Sequence, residues 1–367
     1  MSKIDTLSKG TTLPKNNKSP HGQIIGQGDY RYRVDCHWGE LDPKLYPVEN
    51  CHSLAIASNG NIVMVTDHPN NNVIIYNKDG KLIDSWGGMF PGAHSVKIVN
   101  ENGEDFLYIV ESGWIINRRW DGVSTDAWDS PYNKVIPQAG FIAKTTMDGR
   151  LIYTLGHPQT LGIYTPDMPF SPTDVAIGAN GDLYVTDGYG SDYVIQYNSQ
   201  GQYLRHFGGH NNDNKNANLH NAHGIEIDDR TPSNVRLVIS SRAEQALKYF
   251  TLNGDYLSTL EVPGAWIHGP LVSNGYFYSA VCWSDIDGKN VDDSGFISIF
   301  DQNDTLVANL GAEPPKYING KLQPTQSTWD VFNHCHGLCI DDEENIYLGQ
   351  WRANQCYPWK LTRIKSE

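Results

Sequence analysis

The chain has 367 residues and a formal net charge of −14, and it lacks the clustered Lys and Arg that neutralising phosphates requires, which argues against a nucleic-acid partner and an anionic membrane surface. No apolar run approaches the length that spans a bilayer, and the opening MSKIDTLSKGTTLPKNNKSPHG lacks the apolar core of a signal peptide, so a cytoplasmic protein is expected. With 35 glycines, 20 tyrosines and 10 tryptophans, the composition suits an all-β chain, because aromatic residues favour a pleated surface and glycine favours tight turns.

The first 28 residues read as a disordered or extended arm. The stretch YRYRVDCHWG (Tyr30 to Gly39) alternates and ends in glycine like a strand. From His52 to Gly87 the sequence HSLAIASNGNIVMVTDHPNNNVIIYNKDGKLIDSWG runs as strand, Asn-Gly turn, strand ending in Val-Thr-Asp, aromatic and β-branched strand, and a fourth strand ending in Gly. The pattern returns in TDVAIGANGDLYVTDGYGSDYVIQYNSQGQYLRHFGG, Thr173 to Gly209. Weaker copies start at His94, His223, His268 and His336. Self-similarity at this spacing predicts six small antiparallel sheets stacked face to face, a six-bladed β-propeller spanning residues 29–367 as one domain.

The last unit supplies three strands, ending in PWKLTRI. Its missing outer strand is expected to be the stretch around Tyr30 to Trp38, which would close the ring and remove exposed edges. Three insertions interrupt the units: Gly113 to Gly140, Ser284 to Ser294 and Ala312 to Asn333. The first carries Trp114, Arg118, Arg119, Trp120 and Trp128, which suit the mouth of a ligand site.

Five of the six units begin with histidine at one position: His52, His94, His223, His268 and His336, with Thr173 in the remaining one. The first strand of a propeller blade is the innermost, so these side chains are predicted to ring one mouth of the central channel. A blade-tying role within each unit is the alternative, since duplication also copies structural residues. Ligands from every second blade lie about 120° apart, and only the set His94, His223 and His336 is all histidine. Three neutral imidazoles suit a divalent ion, expected to be zinc, with open positions left for substrate or water. His334 adds an HxH pair with His336, expected on one face because side chains two apart in a strand point the same way. The six cysteines form no CxxC pair and read as reduced thiols, with Cys335 set apart only by lying between two histidines.

With this ring, FSPTDVAIGANGDLYVTDGYGS (Phe170 to Ser191) and the HGIEI unit in view, the chain resembles the peptidyl-α-hydroxyglycine α-amidating lyases, zinc-dependent six-bladed propellers of the NHL-repeat kind. That family cleaves a hydroxylated glycine into an amide and glyoxylate. The resemblance implies zinc on His94, His223 and His336, a catalytic Tyr189, and an active-site arginine at Arg242. A cation beside Tyr189 would favour its phenolate and so its action as a base. Asp67 and His68 stand where the family places a further arginine, and His334 and Gly337 depart from its pattern around the third ligand, so its structural calcium is not expected here. His52, His268 and His334 remain as further pocket residues. The expected function is a metal-dependent lyase of a small hydroxylated amide or carbinol compound. A metal-dependent hydrolase or hydratase in the same channel and a non-catalytic binding propeller are the alternatives.

Overall fold

The computed structural model describes residues 19–124, 131–328 and 331–365. Residues 1–18 of the expected arm and Trp128 of the first insertion lie outside them. Runs such as Ile62–Thr66 and Val73–Tyr76 are buried at every position, whereas the next strand, Leu82–Trp86, is half exposed. A strand buried on both faces needs a neighbour on each side, and the blades supply it by stacking.

The described residues form six four- or five-stranded antiparallel sheets. Numbered in chain order, their innermost strands are Cys51–Ile56, Ala93–Glu101, Asp174–Ile177, Ala222–Asp228, Ala265–Ser273 and Cys335–Ile340. Inner strands of successive blades touch, and the sixth touches the first, so the circle closes. Six apolar clusters fill the joints between blades; the one joining blades 6 and 1 packs Tyr347 and Cys339 against Leu54, Met64 and Ile74.

Closure follows the expected route. Tyr30–Asp35 pairs antiparallel with Trp359–Ile364, from Arg31 opposite Ile364 to Asp35 opposite Lys360, and buries Tyr32 and Val34. Ile24–Gln27, which falls inside the arm expected over residues 1–28, instead adds a fifth strand to this blade, with Ile24 opposite Arg33. The side chain of Gln27 bonds the carbonyl of Ala312 and the amide of Asn309 in blade 5, which explains why the chain is fixed before residue 29. The insertions are structured where described: Trp114–Ile116 pairs with Val135–Pro137, Lys289–Val291 joins the long second strand of blade 5, and Tyr317–Ile318 pairs with Lys321–Leu322.

Candidate functional site: five imidazoles at the channel mouth

The inner strands break register where their histidines lie. Shifts fall between Cys51 and Ser53, Ala93 and Ser95, Ala222 and Ile225, Ile267 and Pro270, and Cys335 and Leu338, so His52, His94, His223, His268 and His336 each sit within a bulge. A bulge re-aims a side chain that regular pleating would send into a blade joint. Blade 3 has no such shift in its first pairing; Thr173 precedes the strand, and its hydroxyl bonds the Ala222 carbonyl at 2.7 Å. Close approach at the axis also calls for glycine after the histidine: a Cβ at Gly337 would lie 2.5 Å from the His52 carbonyl oxygen, and one at Gly224 would lie 2.2 Å from the Gly269 Cα.

The five imidazoles are buried, and each touches at least two others. Within the set drawn from alternate blades, ring centroids are 4.7 Å apart for His94 and His223, 4.9 Å for His94 and His336, and 5.4 Å for His223 and His336. His268 lies between two of them, 3.7 Å from both His223 and His336. Nitrogen atoms within 4.8 Å of one another form two groups, His52 with His94 and His336, and His223 with His268 and His336. His336 belongs to both.

Hydrogen bonds fix several tautomers. A carbonyl can only accept, so Nδ1 of His94 carries the proton it gives to the Thr173 carbonyl at 2.6 Å, and Nδ1 of His336 does the same toward the His52 carbonyl at 2.6 Å. In each, Nε2 is left with a lone pair. Nδ1 of His223 and Nε2 of His268 have no hydrogen-bond partner. Burial, reinforced by the neighbouring rings and, for all but His336, by Arg242, pushes His94, His223, His268 and His336 well below the usual imidazole range, so all four are neutral at pH 7. Neutral rings with free lone pairs and a carbonyl behind them are the arrangement that a zinc-class ion requires.

His52 differs. Its Nε2 lies 3.0 Å from Asp67, whose carboxylate also accepts from the Asn50 amide and side chain. The acidic residue standing at the place of the family's arginine thus holds a ring histidine. His334 does not join the ring. The bulge between Cys335 and Leu338 breaks the alternation on which the HxH pairing rested, and both its nitrogens are engaged: Nδ1 with the Trp351 carbonyl at 3.0 Å, and Nε2 with the Asp293 amide at 3.0 Å. Cys335 is fully buried and its thiol is pushed well above the ordinary value by burial, as for a packed thiol.

Tyr189 and Arg242 meet at the ring. The Tyr189 hydroxyl lies 2.8 Å from Nε2 of His223 and 3.1 Å from Nε2 of His94. Its turn is held by Asp187, which accepts from the amides of Ser171 and Ser191 and from the Tyr164 hydroxyl. The Arg242 guanidinium lies 5.7 Å from the Tyr189 ring centre and 5.5 Å from that of Trp266, and its Nε has no partner. Burial raises the Tyr189 phenol above its ordinary value while Arg242 pulls it down. The lowered phenol expected from sequence therefore needs a second positive charge at the imidazoles.

The central channel was expected from the sequence, but not the polar residues that line it behind the ring. A cavity of about 590 Å³ runs from the imidazoles along the inner strands, past Ser53, Ser95, Asp174, Lys97 and Glu226. Lys97 and Glu226 pair across it at 2.8 Å. Burial opposes the Lys97 charge, but Asp174 and Glu226 outweigh it and raise the ammonium above its ordinary value. Charged residues three positions after two of the histidines, Lys97 after His94 and Glu226 after His223, were the available signal.

No helix among the described residues is long and apolar enough to cross a membrane. No protein-family model matches the chain, and no curated protein matches it in sequence. Solved structures do. A streptogramin B lyase aligns over 92% of this chain and 98% of its own, at 12% identity and a TM-score of 0.53. A gluconolactonase from Xanthomonas campestris aligns over 90% and 89%, at 14% identity and a TM-score of 0.55. A catalytically inactive virginiamycin B lyase from Staphylococcus aureus, solved with quinupristin, aligns over 93% and 100%, at 14% identity and a TM-score of 0.50. Enzymes are thus among the structures that share this architecture, and the chain is an all-β six-bladed propeller.

Proposed function

We propose that this protein is a metal-dependent lyase acting on a small hydroxylated amide or related carbinol compound, with a zinc-class ion held by His94, His223 and His336. The observation that carries this reading is the Tyr189 hydroxyl set between Nε2 of His94 and Nε2 of His223, with the Arg242 guanidinium over the same ring. Each of the three rings offers a nitrogen, since His94 and His336 give Nδ1–H to a carbonyl and turn Nε2 inward, while Nδ1 of His223 has no partner; the three do not form a single group within 4.8 Å, because His94 groups with His52 and His336, and His223 with His268 and His336, with His336 common to both. When bound, the ion would supply a Lewis acid for a substrate oxygen and a positive charge favouring the Tyr189 phenolate.

The residues of the chain do the rest. Tyr189, as phenolate, takes the proton of the substrate hydroxyl at Oη; the O–H electron pair becomes the second bond of the new carbonyl, the C–N bond breaks, and the leaving nitrogen takes up that proton from Tyr189, which returns to phenolate. Arg242, buried and with a free Nε–H, holds a substrate carboxylate. Trp266 and Trp114 flank this corner, the latter 6.0 Å from the Tyr189 ring, and exclude water. The likeness to α-amidating lyases in the Asp-Gly-Tyr turn and the ring supports this chemistry, and the lyases among the structural neighbours are compatible with it.

A second reading, hydrolysis or hydration, is favoured by the carboxylate of Asp67 at 3.0 Å from His52, a pair suited to accepting a proton from water. Incubation with α-hydroxyglycine amides in ¹⁸O-labelled water separates the two. The lyase releases glyoxylate with unlabelled amide, and the release stops on chelation and returns with zinc. Chelator-insensitive release, or none from any hydroxylated amide, overturns the proposal.

A further inference from the structure

The closing hairpin brings together a second set of metal donors, far in sequence from the channel ligands. Beyond the pairing of Ile24 with Arg33, the amide of Gly22 bonds the Val34 carbonyl at 2.8 Å and the amide of Val34 bonds the Gln23 carbonyl at 2.9 Å. This register carries His21 alongside Asp35, Cys36 and His37. One donor atom from each of His21, Cys36 and His37 lies within 4.8 Å of the others. The two imidazole rings are 4.9 Å apart.

Both rings also have a carboxylate at Nδ1: Asp35 at 3.4 Å from that of His21, and Glu40 at 2.8 Å from that of His37. A carboxylate that accepts Nδ1–H leaves Nε2 as the lone-pair atom and orients the ring, the backing that metal-bound histidines use. The Asp35 carboxylate is itself anchored, since it accepts the His37 amide at 3.0 Å. His21 and His37 are half exposed and Cys36 partly so, which gives an ion a direct path from solvent.

We propose that His21, Cys36 and His37 form a second divalent-cation site that clasps the N-terminal strand to the closing strand of blade 6. One thiolate and two imidazoles on a tetrahedral ion leave a fourth position for water or a carboxylate, a set selective for zinc-class ions over magnesium or calcium. Burial raises the Cys36 thiol, so binding displaces its proton to solvent. Because Ile24–Gln27 lies between the two donor segments, the ion would act as a staple on the strand that closes the ring.

Cobalt(II) distinguishes this site from the channel, because only a thiolate ligand gives a sulfur-to-cobalt charge-transfer band in the near ultraviolet. The full-length protein, stripped of metal and titrated with cobalt(II), is expected to show that band. Cys36→Ser should abolish it while retaining cobalt on the imidazoles and native circular dichroism. His21→Gln, at an exposed residue, should weaken the band-forming step roughly tenfold or more. A folded wild-type protein with no charge-transfer band, or a band that survives Cys36→Ser, overturns the proposal. Because the band reports thiolate alone, its absence leaves the channel reading untouched, and loss of channel metal leaves the band.

Discussion

His336 gives its Nδ1–H to the carbonyl of His52 at 2.6 Å, so that the last blade of the ring holds the first at the residue that would bind an ion. Ring closure and ligand orientation thus share one hydrogen bond. His94 repeats the arrangement with Thr173.

Metal content should follow the ring and not the HxH pair. His336→Ala removes the residue common to both nitrogen groups and is expected to lower total bound transition metal by about one equivalent by elemental analysis, since a three-donor site that loses one ligand keeps little affinity. His334→Ala should leave it unchanged, because that ring is spent on Trp351 and Asp293. Equal losses in the two variants would remove the bulge argument.

Tyr189→Phe deletes the oxygen between His94 and His223 without touching the Thr173 carbonyl behind His94. Turnover of a hydroxylated amide should fall by roughly 10²–10⁴, the range of a lost general base, with metal content intact. Arg242→Met should act mainly on KM, because the guanidinium is assigned to substrate binding. Unchanged turnover in Tyr189→Phe would shift proton transfer to His52 and Asp67.

Two truncations test the closure. Removing residues 1–28 deletes the Ile24–Gln27 strand but keeps Tyr30–Asp35 on Trp359–Ile364, and should lower Tm modestly. Removing residues 1–36 exposes the face that buries Tyr32 and Val34 and should cost at least about 4 kcal/mol, judged from burial of roughly 2 kcal/mol for each side chain. Thermal or urea unfolding reads both. A cooperative, wild-type-like transition in the longer truncation would mean that the ring holds without its clasp.

Stability should depend on pH through buried carboxyls away from the imidazole ring. Burial pushes Asp192 up to about 7, although the amides of Ala222 and Asn221 oppose the rise, and Glu111 likewise to about 7. A native carboxyl that keeps its proton to higher pH than the unfolded chain favours folding below the unfolded value, near 4, and loses that contribution as pH rises through about 7. The four neutral channel imidazoles act in the opposite sense over the same range, so the carboxyl contribution is read as the difference between the wild-type and Asp192→Asn urea midpoints from pH 5 to pH 7.5, which should change by an amount on the order of 3 kcal/mol at most. Parallel profiles for the two proteins would show that Asp192 ionises normally.

The sequence by itself determined the blades, because strand periodicity, Asn-Gly turns and the recurring Val-Thr-Asp are local signals repeated often enough to outweigh their individual weakness. It also marked five histidines and the closing strand, since a three-stranded last unit and an orphan strand at the start can satisfy each other's edge. Only the tertiary structure decided where those side chains point. Bulges in five inner strands turn the histidines toward the axis and separate His334 from His336, and a bulge is a matter of register between strands that no single strand declares. The Asp67 contact with His52, the Lys97 pair with Glu226, and the meeting of His21 with Cys36 and His37 join residues on different strands or blades, at distances fixed by how the sheets stack and pair. Even the extent of the N-terminal strand was a tertiary matter: Ile24–Gln27 becomes a strand because blade 6 offers an edge and blade 5 offers partners for Gln27.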